Sequence, residues 1–136
     1  MNGIVVDASV ALAWCFPDEA SNYADSVLLA IENQTILVPT IWPVEITNAL
    51  LVGERRKRIR QPDVRRFVEL LKGLDVTVDT QSVADSVNNI FPPAQDYRLS
   101  AYDAAYLDVA IRHEVTLATL DADLQKAAHA AGIKTF

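Results

Sequence analysis

Residues Leu99–Leu124 read LSAYDAAYLDVAIRHEVTLATLDADL, and their pattern decides the fold. Ser100 is a capping residue ahead of a helical stretch, and Ser100–x–x–Asp103 matches a capping box. A tight turn over Arg112–Val115 leads into the apolar run Thr116–Leu120, which reads as a buried strand stopped by Asp121. Asp121 is then placed as the N-cap of a further helix, ADLQKAA. A helix feeding a buried strand and a second helix is the repeating unit of a parallel sheet. In such a sheet each helix begins near the C-terminal edge of the strands, because it must run back against them. Asp103 and Asp121 therefore arrive at the same edge.

Working outward, Gly3–Val6 (GIVV) is a short β-branched run stopped by Asp7, as expected for a strand buried on both faces. A short helix over Ala8–Phe16 closes at Pro17, and helical spacing continues from Asp18 to Asn33. Ile36–Val38 reads as the second strand, ended by Pro39. Pro43 is well placed at the start of a helix that carries Glu45 and runs into the basic ERRKRIR segment. Pro62 opens another helix with an apolar stripe, and Val76–Asp79 (VTVD) is the third strand. Ser82–Phe91 reads as helix, with Pro92–Pro93 opening a loop. Gly132 stops the last helix, and Ile133–Phe136 reads as a terminal edge strand. The expectation is one α/β domain over residues 1–136: about five parallel strands with helices on both faces.

The chain has 136 residues and a net charge of −6. The charge is unevenly spread: Glu54–Lys72 holds eight Lys/Arg against three Asp/Glu, and the remainder is strongly acidic. The N-terminus shows no basic leader before its apolar run, which argues against a signal peptide. No apolar run is long enough for a membrane span, so no membrane partner is expected. The single Cys15 cannot form an internal disulfide, in keeping with a reducing cytoplasm. With only four glycines, at Gly3, Gly53, Gly73 and Gly132, there is no glycine-rich phosphate loop and no dinucleotide fingerprint.

Asp7, Glu45, Asp103 and Asp121 all fall at the C-terminal edge of the sheet, where open α/β folds bind ligands. Each has a structural explanation, since acids near helix N-termini are favoured by the helix dipole. Together they would repel one another unless protonated or neutralised. A hard divalent cation suits an oxygen-only set, and His113 and His129 are isolated, so zinc is not indicated. Composition and spacing thus point to metal-dependent phosphoryl chemistry. The basic flank at Arg55, Arg56 and Arg58 is a candidate contact for a polyanion.

Three segments carry a more specific resemblance: IVVDASVALAWCFPDE, PTIWPVEITNALLVGERRKRI and LSAYDAAYLDVAIRHEVTLATLDADLQKAA. In order and spacing they resemble a PIN-domain ribonuclease, and most of all the VapC-type toxins of bacterial toxin–antitoxin pairs. The resemblance implies sheet order 3-2-1-4-5 and a Mg²⁺-dependent endoribonuclease, with Mn²⁺ able to substitute. Asp7, Glu45, Asp103 and Asp121 would be the catalytic and metal-holding acids. Ser9, Asn48 and Thr119 match small polar positions beside the cluster, and Asp123 is a further acid close by. It also implies an RNA substrate, a small VapB-type antitoxin and a homodimer. The apolar residues Ile41, Trp42, Leu50, Leu51 and Phe67 are candidates for those protein contacts. The turn before the fourth strand, Arg112–His113–Glu114–Val115, departs from the pattern in lacking the glycine often found there.

Two other readings use some of the same residues. A receiver-like signalling module would take Asp79 as phosphoacceptor, with Lys134 as its counter-charge. A catalytically silent PIN-like binding domain would keep the acids without using them.

Overall fold

A computed structural model of the chain describes residues 3–136. The four strands are β1 (Gly3–Val6), β2 (Thr35–Pro39), β3 (Val76–Asp79) and β4 (Thr116–Ala118). They form one parallel sheet in the order β3-β2-β1-β4. Among the described residues seven α-helices accompany them: α1 (Ala8–Ala13), α2 (Asn22–Ala30), α3 (Trp42–Arg55), α4 (Gln61–Lys72), α5 (Val83–Asp96), α6 (Ala101–His113) and α7 (Ala122–Ala130).

The centre of the sheet is buried because its two middle strands carry continuous apolar runs. Ile4, Val5 and Val6 of β1 and Ile36, Leu37 and Val38 of β2 are all buried, as strands covered on both faces require. Helix α6 lies deepest among the helices. Every residue from Ala104 to Ala110 is buried, which explains why it is apolar around most of its circumference rather than along one stripe. Trp42 and Phe67 are core residues at 5% and 3% exposure, so neither offers a face to a partner; Leu51 remains exposed.

Three elements differ from the sequence expectation. The fifth strand shrinks to a single parallel bridge between Leu117 and Thr135. Leu117 N–H donates to Lys134 O and Phe136 N–H to Leu117 O, a single bridge rather than a ladder among the described residues; the sheet is 3-2-1-4. Pro92 and Pro93 lie inside α5, which continues to Asp96. No residue of α5 is buried, so the carbonyls freed by the missing proline N–H groups can be met by water. The turn comes later, at Arg98 in the left-handed region (φ 54°), where Leu99 N–H reaches back to Ala94 O at 3.0 Å. The helix drawn from Asp18 to Asn33 is α2 flanked by two 3-10 turns, Pro17–Glu19 and Ile31–Asn33, with Ser21 capping α2 through Ala24 N–H.

The glycine-free turn before β4 is resolved at Glu114. Glu114 adopts φ 54°, ψ 49° as the left-handed stop of α6, at an exposed position. The chain turns there as a glycine would, at the steric cost of a Cβ.

Candidate active site

β1 and β4 are neighbours, in register through Val6 and Ala118. The next residues, Asp7 and Thr119, therefore meet at the point where the strand order reverses. Asp7 N–H donates to Ala118 O at 2.9 Å, and the Thr119 hydroxyl donates to Asp7 Oδ2 at 2.7 Å. Ser9, two residues into the turn, donates to the same oxygen at 2.8 Å and accepts from Leu120 N–H at 3.2 Å. Thr119 Oγ1 also accepts from Asp121 N–H at 3.0 Å. One carboxylate oxygen of Asp7 is thus fixed by two hydroxyls. The other has no side-chain partner among the described residues.

Glu45 stands in the first turn of α3, and the Tyr106 hydroxyl donates to its Oε1 at 2.7 Å. Asp103 stands in the first turn of α6, where its N–H donates to the Ser100 hydroxyl at 3.1 Å. The reciprocal half of the capping box is not formed. Asp121 caps α7, with Oδ1 accepting from Asp123 N–H at 2.8 Å and Leu124 N–H at 3.0 Å. Capping and a role in the cleft are therefore compatible, because the cap uses one oxygen of Asp121.

These four acids, with Ser9, Asn48 and Glu19, line one open cleft. None of its lining residues is cationic. The electrostatic consequence is visible in the acids themselves. Burial pushes the Asp7 carboxyl above its ordinary range, against the pull of Thr119 and Ser9, and Asp121 adds to the rise. Burial also raises Glu45, helped by the charges of Asp7 and Asp103. Asp103 is raised by burial, then by Asp121 and Asp7.

An oxygen-only, uncompensated donor set fits a hard divalent cation such as Mg²⁺ or Mn²⁺. Among the described residues, no three of the acids are drawn together as a ready-made ligand cluster.

Not every candidate residue reaches the cleft. Asp123 is exposed and lines a separate groove with Tyr97, Arg98 and Lys126, although its charge still bears on Asp103. Arg55 and Arg56 are exposed at the end of α3. Arg58 is bound to Asp18 and Glu19. Asp79, the acceptor of the receiver-like reading, accepts from Arg112 on both oxygens and from His113 Nε2 at 2.7 Å. Lys134 lies with Gly3 at the other end of β1. That arrangement leaves Asp79 no free oxygen and no nearby Lys134.

Two residues escaped the sequence reading: Tyr106, buried behind Glu45, and Glu19, which lines the cleft. Tyr106 is three residues after Asp103 and so shares its helix face, a spacing that could have drawn attention to it. Glu19 sits in the irregular Pro17–Glu19 turn, where no periodicity exists to place it.

Comparison with known proteins agrees with this geometry. Residues 4–130 match the sequence profile of the PIN domain. The chain is a PIN-domain protein. It is 30% identical to Ribonuclease VapC3 of Pyrobaculum aerophilum over 122 residues, 89% of this chain and 91% of that protein. Its fold is similar to that of a crystal structure from the same organism, with a TM-score of 0.71 at 22% identity, covering 98% of this chain and 83% of the other. FitAcB from Neisseria gonorrhoeae is similar at a TM-score of 0.63 and 17% identity, covering 98% and 96% of the two chains. VapBC2 from Rickettsia felis, bound to a DNA fragment from its promoter, is similar at 0.64 and 12% identity, covering 98% and 97%. The PIN family and the order 3-2-1-4 thus agree with the resemblance read from the sequence, apart from its fifth strand.

Proposed function

We infer that this PIN-domain protein is a Mg²⁺- or Mn²⁺-dependent endoribonuclease and the toxic member of a VapBC-type toxin–antitoxin pair. The observation that carries the reading is the meeting of Asp7, Glu45, Asp103 and Asp121, from four separate elements, in a cleft with no cationic side chain. The relative at 30% identity, a VapC ribonuclease by name, supports RNA as the substrate. A divalent cation held by these acids would supply Lewis acidity, making a nearby water more acidic and offsetting charge on the scissile phosphate.

The chain's own residues do the positioning. Asp7 and Asp103 are the first choices as direct metal ligands, with Glu45 and Asp121 completing the set or holding metal-bound water. Ser9 and Thr119 fix the Asp7 carboxylate in one orientation, and Tyr106 does the same for Glu45. Such locked supports matter because transition-state stabilisation depends on groups that need not reorganise. Arg55 and Arg56 are exposed and suited to the RNA backbone beside a cleft that would otherwise repel it.

We further take a small VapB-type antitoxin as the natural partner, a homodimer as the working state and the cytoplasm as the compartment. Among the described residues, no helix is long and apolar enough to cross a membrane. The decisive experiment is RNA cleavage by the purified chain with Mg²⁺ or Mn²⁺. Activity should vanish with chelator and in Asp7→Asn or Asp103→Asn. Cleavage that survives chelator and both substitutions overturns the reading. A short reading frame directly upstream whose product co-purifies with this chain would support the toxin role.

A further inference from the structure

The reaction as derived leaves one cleft-lining acid without a task. Glu19 shares the cleft with the four acids but belongs to the 3-10 turn Pro17–Glu19, and it is held from outside. Arg58 Nε and Nη2 donate to the two oxygens of Asp18 at 3.0 and 2.9 Å. Nη2 also donates to Glu19 Oε2 at 2.9 Å. The same guanidinium lies 4.4 Å from the centroid of the Phe16 ring, and Phe16 is only 1% exposed.

Backbone geometry holds this contact in place. A Cβ at Gly53 would lie 2.5 Å from Phe16 Cε1 and 2.6 Å from Cζ, so α3 reaches Phe16 only because residue 53 is glycine. Lys57 then turns the chain through φ 60°, and Arg58 N–H bonds back to Gly53 O at 2.8 Å. Arg55, Arg56 and Lys57 form no ion pair among the described residues. Arg58 is therefore unlike its basic neighbours. A lysine could not do the same, because the planar fork and the stacking face belong to arginine.

We propose that Arg58 is a positioning residue rather than an RNA contact: it holds the Pro17–Glu19 turn against the cleft and offsets one of its two negative charges, so that the rim repels an incoming RNA strand less. The proposal rests on the cleft being the RNA-cleaving site. Its physical content is that Asp18 and Glu19 become more harmful to RNA binding when Arg58 is lost.

The test uses the full chain and a fluorescent single-stranded RNA, with binding read by anisotropy in the inactive Asp103→Asn background and cleavage read in the otherwise wild-type chain. Arg58→Gln should weaken binding by roughly fivefold or more, through uncompensated acids beside a polyanion. It should act on KM, with kcat within about twofold. Glu19→Gln alone should bind RNA at least as well as wild type. The double variant Arg58→Gln/Glu19→Gln should regain most of the lost affinity, and Arg58→Lys should fall between wild type and Arg58→Gln.

Hydrogen exchange gives a readout independent of RNA. The amides of Glu19 and Ala20, bonded to Phe16 O and Pro17 O, should exchange about tenfold faster in Arg58→Gln. A double variant as weak as Arg58→Gln means that Arg58 touches RNA directly and overturns the proposal. Unchanged exchange at Glu19 and Ala20 overturns it as well. If the chain carrying Arg58 binds no RNA at all, the reading of the cleft falls along with it, whereas failure of the double variant alone leaves that reading standing.

Discussion

Two groups of acids sit near the C-terminal edge of the same sheet, and they have opposite characters. In the cleft, Asp7, Glu45 and Asp103 are half-buried or buried with no cation lining the space, and all three carboxyls are raised. At the end of β3 and on α6, Asp79 and Asp108 have side-chain exposures of 10% and 4%, yet Arg112 reaches both. Arg112 Nε donates to Asp108 Oδ1 at 3.0 Å, Gln81 donates to Asp108 Oδ2 at 3.0 Å, and Asn89 donates to Gln81 Oε1 at 2.6 Å. Burial opposes ionisation of Asp79, but Arg112 and His113 together hold its carboxyl below the ordinary range. Acid at a strand end is therefore not by itself a sign of function. The informative feature is the acid whose charge the protein leaves unbalanced.

The sharpest way to break this contrast is to remove one acid or cation from each group. Asp7→Asn or Asp103→Asn should lower RNA cleavage by at least about 100-fold, the scale for losing one group that stabilises transition-state charge, without lowering thermal stability. Arg112→Met should do the reverse, costing roughly 3 kcal/mol in urea unfolding because two largely buried carboxylates lose their partner. If Arg112→Met unfolds at the wild-type urea midpoint, the second group is not structural and the comparison fails.

A finer probe is Thr119→Val, which removes the hydroxyl that donates to Asp7 and accepts from Asp121 N–H. Loss of such an orienting partner should reduce cleavage and metal affinity about 10- to 100-fold. Retained metal affinity, read by calorimetric titration with Mn²⁺, would mean that Asp7 needs no such support.

Acidity separates the two groups without mutation. A raised carboxyl contributes stability that is complete below its unfolded pKa and lost as pH rises through its folded value, which applies to Asp7, Glu45 and Asp103. A lowered carboxyl contributes stability above its unfolded pKa that is lost as pH falls through the folded value, which applies to Asp79. Metal-free protein should thus gain stability as pH drops from neutral towards the ordinary carboxyl range, then lose it in stronger acid. Asp7→Asn should flatten the gain and leave the loss. Mg²⁺ at 100 times its dissociation constant should add about 2.7 kcal/mol at neutral pH. A thermal midpoint that ignores both pH and Mg²⁺ would remove the claim that the cleft acids are unbalanced.

The smallest expected effect lies outside both groups. Glu114→Gly relieves a left-handed residue and should stabilise the fold by about 1 kcal/mol, or a few degrees in thermal midpoint, with cleavage unchanged. A lower midpoint would show that the Glu114 side chain contributes more than its backbone strain costs.

Much of this was legible in the chain. Continuous apolar runs ending in Asp7 and Asp121, and helix starts carrying Glu45 and Asp103, located the four cleft acids, because strand and helix periods are local properties. The fate of Pro92 and Pro93 was not legible, since a proline pair breaks a helix only where its freed carbonyls cannot reach water. The terminal strand was overestimated for a related reason: an extended run becomes a strand only when enough neighbouring backbone faces it.

The sequence by itself determined the alternation of strands and helices, the family and the four acids at the sheet edge. Only the tertiary structure decided which acids are balanced. Asp79 and Arg112 are 33 residues apart in the chain, and Asp18 and Arg58 are 40 apart. Charge compensation depends on distances across the folded molecule, which no local pattern records. That is why Arg58 reads as a free cation in the sequence and as one side of a clamp in the fold.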